Sequence, residues 1–350
     1  MKTLEKPYEE QLALEKSLFL DVNDVDLNAY AVSKHQLRDT TSYTTELMDY
    51  FSSDPTQHGC FLPFGSTQQG LRFRLGELTL WAGQNFSGKS AILTSAILYW
   101  LRGTTHADKP QKFLLISPEM SPIQNLARVV QQSVAKLPGS ITDADVGAVM
   151  AWLSQKLYIL DHVGQVDVDD MVNTIHYAAQ EYGVTGVVID NMTVMRLPGG
   201  SRDSNFAQAD MMSQLVEAAR TANVALHVVA HTRKPAAGEQ VDRYSIRGAS
   251  QLSDLADTIL YIERMFAKER ALGDFNLSDD EREKWNMVCD TKFHCLKQRH
   301  GTAWTGMTKL HYDPHSMRWS EDRRAAFLAF DEVKTLAELG DKNSRGYQTW

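Results

Sequence analysis

Eight consecutive residues, Gly83-Gln84-Asn85-Phe86-Ser87-Gly88-Lys89-Ser90, carry the clearest chemistry in the sequence. Gly83 and Gly88 let backbone N–H groups converge on an anion, and a helix beginning at Lys89 would add its positive N-terminal end. Lys89 has the length to reach the terminal phosphates of a nucleotide, and Ser90 offers a hydroxyl to Mg²⁺. The flanks suit the loop. Leu78–Ala82 reads as a buried strand, and Ala91-Ile-Leu-Thr-Ser-Ala-Ile-Leu reads as an apolar helix. The plain alternative is a glycine-rich turn with an exposed lysine.

Two further strands end in acids. Gly186-Val-Val-Ile-Asp190 places Asp190 where open α/β sheets bind ligands, at a strand's carboxyl end, and its expected work is to hold Mg²⁺. A helix-capping aspartate is the alternative. The following residue is Asn191, not a glutamate, so the group that orients an attacking water must come from elsewhere. Phe113-Leu-Leu-Ile-Ser-Pro-Glu119-Met120 supplies one, a second core strand leading to the carboxylate of Glu119. The alternative for Glu119 is a surface ion pair.

These residues need a scaffold, and the rest of the sequence describes one. The runs Leu78–Ala82, Phe113–Ile116, Leu157–Leu160, Val187–Ile189, Leu226–Ala230 and Thr258–Ile262 are continuously apolar and alternate with helical segments. That pattern predicts an α/β fold with a mainly parallel central sheet covered on both faces. Phe293–Lys297 and Thr308–Tyr312 read as added antiparallel strands, and Ala267 to Lys284 is a charged insertion before them. Thr41 to Phe51 has Leu47, Tyr50 and Phe51 at helical spacing, and Ser52 to Gly70 reads as a linker. The expected organisation is an N-terminal segment over 1–70, an ATPase domain over 71–320 and a tail over 321–350.

Composition sets bounds. With 43% hydrophobic and 23% charged residues among 350, the chain has the material for a large core. Its net charge of -8 excludes a globally basic nucleic-acid coat, so any such contact must come from local loops. Cys60, Cys289 and Cys295 form no CxxC pair, which argues against a zinc ribbon or a disulfide framework. The N-terminus does not read as a signal peptide, and no apolar run approaches the ~20 residues that span a bilayer. A cytoplasmic location is the expectation.

The same motifs together resemble the superfamily-four replicative helicases: the DnaB-type enzymes, the helicase half of phage primase-helicases, and Twinkle. The similarity runs from about Leu71 to Trp319. It implies a RecA-like P-loop ATPase core that uses ATP and Mg²⁺. In it, Glu119 of Ser117-Pro-Glu-Met is the catalytic base, and His231 of Val228-Val-Ala-His-Thr-Arg-Lys senses the γ-phosphate. A lone histidine otherwise serves structure more often. Ser245-Ile-Arg247-Gly248 through Glu263-Arg264 resembles the phage helicases' DNA loop and following strand, with Arg264 near the nucleotide. Cys295-Leu-Lys297-Gln-Arg299 is similar to the family's lysine-x-arginine pair, whose arginine acts in trans on the next subunit's γ-phosphate. Phosphoryl transfer develops charge on equatorial oxygens, and a planar guanidinium neutralises it. The alternative for Lys297 and Arg299 is a solvated basic strand end. Tyr312, on the next strand, is a candidate for stacking on adenine.

The resemblance further implies a homo-oligomeric ring, with six subunits as the family expectation, moving 5′ to 3′ on single-stranded DNA. Two loops are expected to line its channel: Met195 to Arg202, with Arg196 and Arg202, and Arg233 to Arg247, with Arg233, Lys234, Arg243 and Arg247. Spaced arginines among small residues suit backbone contacts with little sequence preference; a solvated loop is the alternative. The Thr41–Phe51 helix would dock on an adjacent subunit or cap its own domain. The segment Phe266 to Met287 is longer than in phage primase-helicases. No primase zinc ribbon precedes residue 70, so a separate primase would supply priming, and a phage-infected bacterial host is the expected setting. The tail Tyr347-Gln-Thr-Trp350 suggests a polymerase contact, although it is less acidic than such tails. A RecA-type recombinase or single-strand-annealing ATPase forming filaments, and a non-motor ATPase loader, are the competing readings.

Overall fold

The structure is a computed structural model that describes residues 39–52, 58–103, 111–160, 164–192, 195–196, 205–232, 253–301 and 304–346. The chain divides into two compact units, Met1–Pro55 and Thr56–Trp350. In the first, Asp39 accepts a hydrogen bond from Thr41 N–H and starts a 3-10 turn over Thr40–Tyr43. Helix α1 follows over Thr44–Ser52, with Leu47, Met48, Tyr50 and Phe51 exposed.

The second unit carries the predicted alternation. Its first half runs β1 (Leu78–Gly83), α2 (Lys89–Leu101), β2 (Phe113–Ile116), α3 (Pro122–Val134), α4 (Asp143–Leu153), β3 (Leu157–Ile159), β4 (Val166–Asp167), α5 (Val168–Tyr182), β5 (Gly186–Ile189) and β6 (Met195–Arg196). The second half runs α6 (Asn205–Thr221), β7 (Ala225–His231), β8 (Thr258–Arg264), α7 (Phe266–Leu272), α8 (Asp279–Met287), β9 (Thr291–Gln298), β10 (Gly306–Asp313), β11 (Arg318–Ser320) and α9 (Asp331–Gly346). Nine strands form one sheet in the order β11-β10-β9-β8-β1-β7-β5-β2-β3. The block from β8 to β3 is parallel, while β9, β10 and β11 add antiparallel to its edge. Strands β1, β2 and β5 are buried along their whole length, which is why their sequences are continuous apolar runs without alternation. β4 and β6 pair separately.

The core lies on both faces of the sheet. On one face His227 of β7 is enclosed by aromatic rings, stacked on Trp100 at 5.1 Å and accepting a hydrogen bond at its Nδ1 from Trp81 Nε1–H. Burial pushes this imidazole down to about 3, so it is a neutral core group. The segment expected to be a linker behaves differently. Cys60, Leu62 and Phe64 are buried, and Cys60 exchanges backbone hydrogen bonds with Phe73. The prolines and glycines there suggest a linker, but the apolar residues between them meet α2, where Trp100 Nε1–H donates to Phe61 O. The charged insertion is the helical pair α7 and α8, the second opened by a capping box at Ser278 and Glu281.

Candidate nucleotide site

The phosphate-binding loop stands between β1 and α2. Gly88 caps α2 with φ 90° and offers no side-chain cap, so the helix's first N–H groups face the loop. At Gly83 a Cβ would lie 2.6 Å from Ile262 O and 2.7 Å from Ser87 Oγ, so only glycine fits beside β8. Lys89 is buried, and its ammonium donates to Gly83 O at 3.0 Å and Gln84 O at 2.7 Å. Burial lowers its pKa to about 8, against the pull of Asp190 and Glu119. Phe86 is 84% exposed at the loop tip with φ 62°, and Asn85 precedes it.

The other predicted chemistry gathers at the same sheet edge. Asp190 follows β5, which lies next to β2, and it is hydrogen-bonded to Ser90. Burial raises its carboxyl pKa, while Ser90, Arg128 and Lys89 oppose the rise. Glu119 follows β2 and is exposed, close enough for its charge to act on Lys89, Asp190 and His231. His231 ends β7 directly beside Gly83 in the register. Its Nε2 lies 2.8 Å from Asn191 Nδ2. Burial, with Lys89, lowers its pKa.

Three groups escaped the sequence reading. Asn191 is buried and partners His231, a contact between the ends of separate strands. Arg128 on α3 reaches Met120 Sδ at 3.2 Å, and its charge acts on Asp190 and Tyr312. No motif marked it; only its place nine residues after Glu119, on the exit helix, gave any signal. Trp319 of β11 lies beside the loop, 3.1 Å from where a Gly88 Cβ would stand, and packs on Tyr312 with ring centroids 4.8 Å apart. Tyr312 is thus placed by the loop, with Arg128 and Arg264 acting on it.

Arg264 donates to Phe86 O at 2.7 Å and pairs with Glu269 of α7, so it braces the loop tip. Lys297 and Arg299 lie elsewhere. β9 runs antiparallel to β8, with Thr291 opposite Arg264 and Gln298 opposite Thr258. Arg299, just past this pairing, therefore stands at the edge of the sheet opposite Gly83, roughly 20 Å away, while the Lys297 backbone lies opposite Ile259, part-way along the strand. Lys297 Nζ donates to the carbonyls of Ser253, Asp254 and Ala256. Arg299 pairs with Asp257. Arg196 pairs with Asp167 in the backbone register of the β4–β6 ribbon. Arg202, Arg233, Lys234, Arg243, Arg247 and Gly248 lie outside the described residues.

The residues fit a magnesium nucleotide. Among the described residues Ser87 Oγ, His231 Nδ1 and Thr232 Oγ1 are buried without partners around the loop, and Ser90 and Asp190 supply the hard oxygens magnesium takes. No group of three His, Cys, Asp or Glu suited to a metal occurs among the described residues.

The AAA domain family matches residues 70–237, the stretch that carries the loop, both acids and the histidine. A solved structure of a DnaB-like replicative helicase and its interactions with primase superimposes with a TM-score of 0.64 at 14% identity, over 89% of this chain and 75% of that one. The fold is DnaB-like. A second solved structure, an ATPase domain, has the same architecture, with a TM-score of 0.63 at 16% identity over 81% of this chain and 99% of that domain. Within this fold the phosphate loop, Asp190, Glu119 and His231 stand at one sheet edge, and Arg299 stands at the other. No helix among the described residues is long and apolar enough to cross a membrane.

Proposed function

We propose that the chain is an ATP-driven replicative DNA helicase that moves along single-stranded DNA as a homo-oligomeric ring. The observation that carries this reading is the division of the catalytic set between two sheet edges. Lys89, Ser90, Asp190, Glu119 and His231 converge at one edge, and Arg299 stands at the other, where it is of no use to its own nucleotide. Such a protomer is incomplete alone. A head-to-tail contact, closing into a ring, would bring each Arg299 to the next protomer's site. The DnaB-like fold and the AAA domain match support the same conclusion.

In this reading the loop N–H groups and Lys89 hold the phosphates, and Ser90 and Asp190 hold magnesium. When bound, magnesium neutralises charge on the phosphate oxygens. Glu119 accepts the proton of the attacking water. His231, steadied by Asn191, reports the state of the nucleotide to the chain that follows it. Arg299 from the neighbour meets the charge that develops on the transferred group, and Tyr312 with Trp319 forms a face for the base. Loops 195–202 and 233–247 take the DNA backbone, six subunits complete the ring, and travel is 5′ to 3′. A separate primase and a DNA polymerase are the expected partners at the fork, in the cytoplasm of a phage-infected bacterium.

The deciding experiment is strand displacement on a forked DNA substrate with ATP, together with negative-stain imaging. Rings and displacement that Lys89→Ala abolishes are expected. Helical filaments with strand annealing would replace this reading with a recombinase-type one.

A further inference from the structure

We propose that Asp257 is the positioning residue that aims Arg299 at the adjacent protomer's nucleotide. This rests on the reading of Arg299 as a group supplied in trans. The Asp257 side chain is 2% exposed, and both of its oxygens are used. Oδ1 accepts from Arg299 Nη1 at 3.0 Å, and Oδ2 accepts from Leu78 N–H at 3.0 Å. The backbone repeats the link, since Asp257 N–H donates to Leu78 O and Arg299 N–H donates to Asp257 O. The finger residue is therefore pinned, through one buried carboxylate, to the first residue of the strand that ends in the phosphate loop.

The way Arg299 is held suits a presented group. Its second contact is Nη2 to Asp254 O at 2.7 Å, and Lys297 fixes the same turn by donating to the carbonyls of Ser253, Asp254 and Ala256. Two of the guanidinium's five N–H donors face these named acceptors, and the side chain is 37% exposed. A planar fork held along one side keeps its orientation while the other side reaches outward. The groups facing Asp257 from neighbouring elements are Arg220 at 4.0 Å, His300 at 3.9 Å, and Glu77, whose charge is felt in the same cluster with Arg74. Arg220 and His300 are more than half exposed at the side chain and lie farther away, so the short contact to Arg299 dominates. A finger displaced by about 1 Å loses on the order of 100-fold in rate, so such a clamp bears on turnover.

The test uses the full chain and DNA-stimulated ATP hydrolysis. Asp257→Asn keeps the shape and the acceptor for Leu78 N–H, but it loses the charge that holds Arg299. We expect an unchanged circular dichroism spectrum, nucleotide KM within a few-fold of wild type, and kcat lower by on the order of 10- to 100-fold. Mixing with Lys89→Ala protomers should restore turnover, because those protomers bring an intact Asp257–Arg299 pair to sites whose phosphate loop works. Asp257→Glu should recover part of kcat. The double variant with Arg299→Ala should be no slower than Arg299→Ala alone. Wild-type kcat in Asp257→Asn, failure of Asp257→Asn to be rescued where Arg299→Ala is rescued, or a double variant slower than Arg299→Ala would each overturn the proposal. If Asp257→Asn does not fold, Asp257→Glu decides: wild-type kcat in it overturns the proposal, and a lowered kcat restored by mixing supports it. Failure of the finger reading looks different, since Arg299→Ala would then hydrolyse ATP normally or resist rescue in trans.

Discussion

Asn191 Nδ2 stands 2.8 Å from Nε2 of His231, joining the residue after the β5 aspartate to the last residue of β7. An amide N–H donates, so Nε2 accepts and the ring proton sits on Nδ1, which has no partner among the described residues. Burial and the Lys89 charge favour this neutral ring. Asn191→Ala should leave nucleotide affinity intact and reduce the stimulation of hydrolysis by single-stranded DNA by about tenfold, equal to ~1.4 kcal/mol of coupling. Turnover measured with and without DNA decides the matter. Equal stimulation in the variant would reduce Asn191 to a packing role.

Glu119→Gln separates binding from chemistry. Glu119 is exposed beside Lys89, Asp190 and His231, where a water between it and the phosphates is accessible. The amide keeps the shape and loses the base, so kcat should fall by roughly 10²- to 10⁴-fold. Affinity for a fluorescent nucleotide should stay within a few-fold. A variant that turns over near the wild-type rate would send the search for the base elsewhere.

Lys89 gives a proton-linked prediction. Burial depresses its pKa to about 8, and phosphate oxygens would favour the charged form. Above that pH the amine must take up a proton to bind, so nucleotide affinity should weaken as pH rises from 7 to 9. Calorimetry at pH 8.5 in two buffers of different ionisation enthalpy should show net proton uptake in wild type and none in Lys89→Ala. Identical heats in both buffers would contradict the depressed pKa.

Much of this candidate site is legible in the sequence alone, and what is not has a physical reason. Continuous apolar runs marked β2 to its end residues, and β1, β5, β7 and β8 within two residues at either end, because a strand buried on both faces has no polar position to blur its limits. Lys89, Ser90, Asp190 and Glu119 were visible because each is placed by its own strand or helix end. Asn191, Arg128 and Trp319 were not, because their roles arise where separate elements meet. Phe293–Lys297 reads as an added antiparallel strand, as found, but the sheet edge at which Lys297 and Arg299 stand follows from its register with β8, which periodicity does not give. Cys60, Leu62 and Phe64 were read as linker because turn residues surround them, yet they complete the core over α2.

The Tyr312–Trp319 pair predicts a division of labour. Tyr312 is 37% exposed and Trp319 is 8% exposed with its ring against Gly88. Tyr312→Ala should raise the KM for ATP by about 5- to 100-fold, as loss of a stacking face worth about 1 to 3 kcal/mol would, with little change in Tm. Trp319→Ala should instead destabilise the domain by about 3 to 5 kcal/mol. Thermal melts and steady-state kinetics on both variants test the split. A stable Trp319→Ala, or an unchanged KM in Tyr312→Ala, would refute the corresponding half.

Glu77 makes stability depend on pH. Burial pushes its carboxyl up from 4.5 to about 7, with Asp257 adding to the rise and Arg74 and Arg299 opposing it. A raised acid means that the folded chain holds its proton more tightly than the unfolded chain. Its contribution is fully present below 4.5 and is lost as pH climbs through about 7, because between these values only the unfolded chain ionises. The shift corresponds to at most about 3 kcal/mol, with Glu77 itself largely shielded from water. Glu77→Gln cannot titrate. Denaturant unfolding should therefore show wild type losing stability relative to the variant between pH 5 and pH 8. Parallel pH profiles for the two proteins would mean that Glu77 is ionised throughout and that Arg74, at 3.7 Å, outweighs the burial.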